Sequence, residues 1–353
     1  MSLRDIINNT FSNWMDSTAP EADIVISSRI RIARNLKQWP FPHMLPVENA
    51  EQVIHAVKAA VSNENFINSF GSLELVWMSE LTPVERRILV EKHLISPDLL
   101  DNYNKKAVIL RSDEAVSIMI NEEDHLRLQC VLPGLQLKDA WSLMNKLDDG
   151  LEFTLDYSYS DRLGYLTACP TNVGTGLRAS VMIHLPGLVL ANQIGGVLSA
   201  IAKLGITVRG MYGEGTQALG NIFQISNQIT LGQAEEEIIN NIISITRQLL
   251  AQERAARQAL LKERNEFLAD RVCRSLGILK HARMINAEET MRMFSDVRLG
   301  VDLNIIEGID TGLLSELMVL SRPAYLIKKA GKEITTVDQD ILRAELIRER
   351  LNG

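Results

Sequence analysis

Cys169-Pro-Thr-Asn-Val-Gly-Thr-Gly-Leu-Arg178-Ala-Ser-Val-Met-Ile-His184-Leu-Pro186 is the stretch from which the rest of the chain can be read. Pro170 to Gly176 is dense in turn formers and cannot be a regular element. Ala179 to His184 reads as a strand. Arg178 stands at the junction of loop and strand, a permanent cation. Gly174 and Gly176 let a main chain approach a ligand closely, because glycine has no Cβ. Cys169 opens the loop, either as a reactive thiol or as a small packed side chain.

Working outward, a second strand begins at Ile24 and runs into Ser27-Ser28-Arg29-Ile30-Arg31-Ile32-Ala33-Arg34. Side chains alternate faces along a strand. Arg29 and Arg31 therefore share one face, and Ile30 and Ile32 share the other. Two guanidinium groups on one face repel each other unless they front water or hold an anion such as phosphate. Ala107–Leu110 and Val116–Ile120 read as strands joined by the turn Arg111-Ser112-Asp113-Glu114, and the second runs into Asn121-Glu122-Glu123-Asp124-His125-Leu126-Arg127. Three acids after a buried strand either face solvent or hold a cation, whether metal or substrate. Thr207 to Gly215 reads as a strand ending in a glycine loop that presents Arg209 and Glu214.

Helices punctuate these strands. Thr82-Pro83-Val84-Glu85 is a capping box with proline at the first helical position. That helix leads towards His93. Further helices are expected at 49–60, 139–147 and 188–204, and a short strand at 153–156. From Gln233 to about Arg283 the chain reads as one long helix, basic over 246–283, and the remainder as all helical. Asn286 and Thr336 each mark a helix start.

Composition bounds the function. The chain has 353 residues, 46% of them hydrophobic, and a net charge of −7, which gives no bulk attraction to nucleic acid. Three cysteines without a C-x-x-C pair make neither a disulfide framework nor a zinc site. The amino terminus has no apolar leader and no run of 18 apolar residues occurs, so a soluble, cytoplasmic protein is expected. No G-x-x-x-x-G-K loop occurs, so nucleotide phosphates would have to be held by arginines.

Four stretches carry a resemblance. Ser-Ser-Arg-Ile-Arg (27–31), Asn-Glu-Glu-Asp-His-Leu-Arg (121–127), Cys-Pro-Thr-Asn-x-Gly-Thr-x-x-Arg-Ala-Ser-Val (169–181) and Arg-Gly-x-x-Gly-Glu (209–214) resemble, in that order, motifs of the phosphagen (ATP:guanido) kinases. The resemblance covers residues 20 to 250 and implies an α+β fold: a mainly antiparallel sheet flanked by helices. It implies ATP as donor, with Mg²⁺ held mainly by the nucleotide phosphates and no direct metal ligand. It implies phosphate contacts by Arg29, Arg31, Arg127, Arg178 and Arg209. Further nucleotide contacts are implied at Ser27, Ser28, Ile30, His93, Ala179, Ser180, Val181, Met182, Gly210, Met211, Tyr212 and Gly213. Glu123 (or its neighbour Glu122) would be the base, Glu214 the second carboxylate on the guanidinium, and Cys169 a third contact.

The Ser-Ser-Arg motif starts at residue 27, which leaves no room for the helical amino-terminal domain of the small-substrate members, and a helical carboxy-terminal part is added. Both features resemble the bacterial protein-arginine kinase branch of that family. They imply a catalytic domain over 1–258 and a helical domain over 259–353, protein substrates with exposed arginine, and a role in stress-response quality control and degradation. They also imply a protein activator, degradation-machinery partners and a homodimer, with neither nucleic acid nor membrane as partner. Gln339-Asp340-Ile341-Leu342-Arg343-Ala344 resembles the branch's phosphoarginine-receptor pattern, with Gln339 in place of an arginine; it is also readable as a capped surface helix. Two other functions remain open on the sequence: a kinase for small free guanidino compounds, and a non-catalytic phosphoarginine-binding adaptor.

Overall fold

The computed structural model describes residues 3–71, 73–212 and 218–352. Helix α1 (Leu3–Asn8) leads to strand β1 (Val25–Arg34). Helices α2 (Val47–Val61) and α3 (Glu64–Phe70) precede β2 (Leu73–Trp77) and α4 (Pro83–Glu91). Strands β3 (Ala107–Arg111), β4 (Val116–Ile120) and β5 (Leu126–Pro133) run into α5 (Leu137–Glu152). A short hairpin, β6 (Tyr159–Ser160) and β7 (Gly164–Tyr165), comes before the Cys169 loop and β8 (Leu177–His184). Then follow α6 (Pro186–Leu190), α7 (Ile194–Ala202), β9 (Ile206–Tyr212) and β10 (Ala218–Asn227). The remainder is helical: α8 (Glu235–Glu263), α9 (Asn265–His281), α10 (Ala287–Asp302), α11 (Thr311–Leu320), α12 (Pro323–Ala330) and α13 (Thr336–Asn352).

Eight strands form one sheet in the order β2-β3-β4-β5-β1-β8-β10-β9. Every pairing in it is antiparallel. This is the α+β architecture expected from the sequence. Alternation decides its two faces. Ile30, Ile32, Ile118, Leu128, Ala179, Val181 and Ile225 bury one face against Val53 and Val57 of α2, Met144 and Leu147 of α5 and Ile242 of α8. Each Ile, Leu, Val or Met side chain so removed from water contributes about 1.5–3 kcal/mol. The opposite face is apolar over β2–β4, where Val76, Val108, Leu110 and Met119 bury with Ile88 and Leu89 of α4, and again towards one end of the central strands. There Ile26, Val131 and Met182 share a cluster with Met291, Phe294 and Val297 of α10. The helical carboxy-terminal part thus packs directly against the sheet, and the middle of that face is left to polar side chains.

Local signals behave as the sequence suggests at α4 and α10. Thr82 Oγ1 accepts the Glu85 N–H at 3.2 Å while the Glu85 carboxylate accepts the Thr82 N–H at 2.8 Å. Asn286 Oδ1 accepts the Glu289 N–H at 2.8 Å. Four expectations are corrected. The 188–204 helix is two helices, because Asn192 takes a left-handed conformation (φ 56°) between α6 and α7. The long helix after 233 breaks at Arg264, φ −139°, between α8 and α9. Residues 153–156 form no strand; the Phe153 N–H bonds Asp149 O and the Leu155 N–H bonds Leu151 O, so they finish α5 as a turn. The last helix is capped one residue early, by Thr335: its hydroxyl accepts the Asp338 N–H at 3.2 Å and its own hydroxyl donates to Asp338 at 2.8 Å.

Candidate active site

The sheet's polar face gathers arginines from four strands. Arg31 on β1 lies opposite Arg178 on β8 and Gln129 on β5, and Arg29 lies opposite Ser180. Arg209 on β9 lies opposite Gln224 on β10, and Arg127 on β5 opposite Ala33. Residues directly paired across strands share a face, so the five arginines named from the sequence converge on one surface. Arg29 Nη2 donates to Gln224 Oε1 at 2.6 Å, and Arg178 Nη2 to Ser226 Oγ at 3.1 Å. The Nε groups of Arg31 and Arg178 are buried and have no hydrogen-bond partner among the described residues. Burial, then the cations Arg29, Arg127 and Arg178, push the Arg31 guanidinium well below its ordinary range. Burial, then Arg209 and Arg127, lower Arg178 as well. Buried like charges with orphaned donors fit a polyanion such as a nucleotide polyphosphate.

At one end of this face lies a cleft lined by Trp14, Ser27, Arg29, His93, Ser180, Met182 and Gln224. His93 adopts φ 61°. Gln129 Nε2 holds its carbonyl at 2.9 Å, and its ring meets Trp14 edge-on with centroids 5.5 Å apart. Burial, then Arg29 and Arg322, bring the His93 pKa down to about 3, so the ring is neutral at physiological pH. Trp14 and Gln224 were not named as site residues from the sequence. Gln224 shares strand alternation with Ser226, a signal that could have found it; Trp14 comes from a distant segment and carries no local signal.

The three acids of 122–124 go three ways. Glu122 is buried and accepts Arg127 Nη1 at 2.6 and 2.5 Å. Burial alone would raise Glu122, but Arg127 outweighs it and the carboxyl is lowered. Asp124 is buried too, and accepts Asn35 Nδ2 at 2.5 Å and the Ala168 N–H at 2.7 Å. His125 Nδ1 accepts the Leu36 N–H at 3.1 Å, which leaves Nε2–H to donate to Pro40 O at 3.1 Å. Glu123 alone is exposed, with no hydrogen-bond partner among the described residues. Partial burial, then Asp124, raise it above the usual carboxylate range, against the pull of Arg127. The metal alternative for this loop finds no support: among the described residues no cluster of three or more His, Cys, Asp or Glu could hold an ion.

Asp124 joins this loop to the Cys169 loop through Ala168, one residue before the cysteine. Cys169 is half-buried, its Sγ 3.0 Å from Thr171 Oγ1. The two loop glycines do not make the close ligand approach read from the sequence. A Cβ on Gly174 (φ 111°) would lie 2.5 Å from Thr230 O, and one on Gly176 (φ 64°) 2.6 Å from Ala33 O. Glycine is required there by the protein's own main chain. Arg34, the third arginine of the first motif, also serves the loop. It points to the other face, donates to Asp148 at 2.6 Å and to Thr175 O at 2.9 Å, and stacks 3.4 Å over Tyr165.

Several named residues lie elsewhere. Ser28, Ile30, Ala179 and Val181 are fully buried on the apolar face or its edge, and Ser28 Oγ donates to Gly134 O at 2.8 Å. Strand alternation turns their side chains away from the arginines. Gly210, Met211 and Tyr212 belong to β9 beside Arg209. Gly213 and Glu214 lie outside the described residues. In α13, Arg343 is buried: Nε donates to Ser321 O at 2.8 Å and Nη1 to Ile285 O at 2.9 Å and to Asp340 at 2.5 Å. Gln339 and Asp340 are half-exposed beside it, and Ala344 is buried.

A fold of this kind is seen in lombricine kinase (TM-score 0.59, 24% identity, 73% of this chain and 78% of that one). It is seen again in the duplicated taurocyamine kinase of Schistosoma mansoni (TM-score 0.59, 23% identity, 82% of this chain and 40% of that one). The model of the ATP:guanido phosphotransferase C-terminal catalytic domain matches residues 52–256, and with it the chain belongs to the ATP:guanido phosphotransferases. Residues 265–353 match the model of the protein-arginine kinase McsB C-terminal domain. Two relatives span the whole length. The protein-arginine kinase of Pelotomaculum thermopropionicum is 64% identical over 99% of this chain and 98% of its own, and that of Desulforamulus reducens 57% identical over 100% and 99%. Within the family, the chain belongs with the protein-arginine kinases.

Proposed function

We propose that this chain transfers the γ-phosphoryl group of ATP to arginine side chains of proteins. The observation that carries the reading is the sheet face on which five arginines converge, with the buried Nε groups of Arg31 and Arg178 unpartnered, next to the exposed Glu123 and to Cys169. Arg29, Arg31, Arg127, Arg178 and Arg209 bind the phosphates and offset charge on the transferring group. The Trp14–His93–Met182 surface contacts the rest of the nucleotide. Mg²⁺, if bound, would be held mainly by the nucleotide phosphates rather than by side chains of this chain, and would help offset their charge.

A guanidinium nitrogen is a poor nucleophile, since its lone pair is delocalised. Glu123 accepts its proton as the N–P bond forms, while the bond from γ-phosphorus to the bridging oxygen breaks and ADP leaves with the electron pair. A carboxylate raised above its usual range is better matched to that task near neutrality. Glu122, committed to Arg127, orients a phosphate-binding arginine. Cys169 and Glu214 align the substrate guanidinium. The Gln339–Ala344 segment is a separate phosphoarginine element, in which ligand exchanges for the Asp340–Arg343 ion pair. The wider role is marking cytoplasmic proteins for stress-response degradation, as a homodimer with an activator and degradation partners.

The test is incubation with ATP and either a folded protein or free arginine, followed by mass spectrometry for acid-labile phosphate on arginine. Phosphorylation of free arginine alone would favour a small-guanidine kinase. Binding of phosphoarginine with no transfer to either would favour an adaptor.

A further inference from the structure

A cleft of about 510 Å³ opens on the outer side of the Cys169 loop, away from the arginine face. Its walls come from the β6–β7 hairpin, the loop itself and the start of α8. Two carboxylates, Glu152 and Glu235, and two aromatic rings, Tyr159 and Tyr165, line it, with Arg162 as the one cation among the lining side chains. Tyr159 is 56% exposed, and its ring meets Tyr165 edge-on with centroids 5.2 Å apart. Glu152 stands beside Tyr165, and burial, then Asp148, raise its carboxyl above its ordinary value. Tyr165 and Gly174 bond each other's main chains at 2.8 and 3.2 Å, so the cleft is built onto the loop that carries Cys169.

We propose that this cleft is a docking subsite for a second basic side chain of the protein substrate, near in sequence to the arginine being phosphorylated. It rests on the protein-arginine reading above. The exposed Tyr159 ring beside carboxylates suits a guanidinium or ammonium group, which gains a cation–π contact and an ion pair together, whereas Tyr165 already has Arg34 over its ring. The distance also fits. Gly174 is five residues from Cys169, so it lies within about 17 Å of it along the chain, which an extended peptide spans in about five residues. A free guanidino compound cannot occupy both sites at once, whereas a peptide can.

The experiment compares peptides with a single arginine against peptides that carry an added lysine one to five residues away. Wild type should show a KM about 5–10-fold lower for the best-spaced lysine peptide, with kcat unchanged. An added glutamate at the same place should raise KM. In Glu152→Gln/Glu235→Gln, and separately in Tyr159→Ala, the lysine preference should shrink towards unity while kcat and KM for the single-arginine peptide stay at wild-type values. No lysine preference in wild type, or one that persists in both variants, overturns the subsite. Wild type that phosphorylates neither peptide nor protein overturns the protein-arginine reading itself, and the subsite with it.

Discussion

Arg31 and Arg34 sit three residues apart on one strand and meet opposite surroundings. Arg34 faces the core and finds a carboxylate, two carbonyls and an aromatic ring. Arg31 faces the other way and finds other arginines, with its Nε orphaned. A buried charge with matched partners is architecture. A buried charge among like charges costs stability in the free protein, and the cost is offset only when an anion arrives. The same contrast separates Glu122, which is spent on Arg127, from Glu123, which is spent on nothing. The groups that hold the fold and those assigned to the reaction are therefore distinguished by partners rather than by residue type.

The contrast is tested hardest at Glu123. Glu123→Gln keeps the shape and removes the base. Proton uptake and alignment are each worth about 10²-fold or more, so turnover should fall about 10³- to 10⁴-fold with ATP affinity within about twofold of wild type. Steady-state rates and nucleotide titration decide it. Near-normal turnover would move the role of base elsewhere, with Glu122 next in line.

Arg34→Ala tests the architectural side. It would strand the buried Asp148 carboxylate, a loss of about 3–5 kcal/mol, measured by chemical unfolding. Arg31→Met should behave in the opposite sense, unfolding at the same or higher denaturant while losing activity. Equal destabilisation by both would erase the distinction.

Arg178→Lys sharpens it further. The charge stays but the planar fork is lost, and about 10²-fold in kcat/KM should go with it while stability is unchanged. Wild-type rates in the lysine variant would make Arg178 a structural residue.

Parity explains how much of this was legible. Strand alternation separates Arg29 and Arg31 from Ile30 and Ile32, and the structure obeys it. The same rule places Arg34 with the isoleucines, so its structural role was readable too. Alternation likewise turns Ser28, Ile30, Ala179 and Val181 away from the site, although the motifs that contain them suggest contact. The partners that sort Glu122 from Asp124 come from Arg127, Asn35 and Ala168; the last two are remote in sequence, and no local pattern announces them. Gly174 and Gly176 were marked for close approach to a ligand; what approaches is the protein's own main chain, and that is decided by tertiary packing. The Asn192 break between α6 and α7 was missed because the flanking apolar spacing continues through it.

Glu91 supplies the smallest and most discriminating prediction, because it is a strained buried charge outside the arginine face. Its Oε1 accepts the Ala324 N–H at 3.0 Å, which ties α4 to α12, and its Oε2 has no hydrogen-bond partner among the described residues. Burial raises its pKa to about 7, against the hydrogen bond from Ala324 and the charges of Arg322 and Arg87. The folded state therefore holds this proton more tightly than the unfolded chain does, whose carboxyl keeps its ordinary value of 4.5. The stabilisation is complete below that ordinary value and is lost as pH rises through the window up to about 7. Glu91→Gln stays neutral throughout and can still accept from Ala324. Its unfolding midpoint should vary less with pH across that window, and above it the variant should be more stable than wild type by about 1 kcal/mol or more. Activity should change little, since no phosphate or substrate contact is removed. Parallel pH profiles for variant and wild type would mean that Glu91 is charged and well compensated in the fold. It would then belong with Arg34, and a carboxylate oxygen without a hydrogen-bond partner would not by itself mark an uncompensated charge.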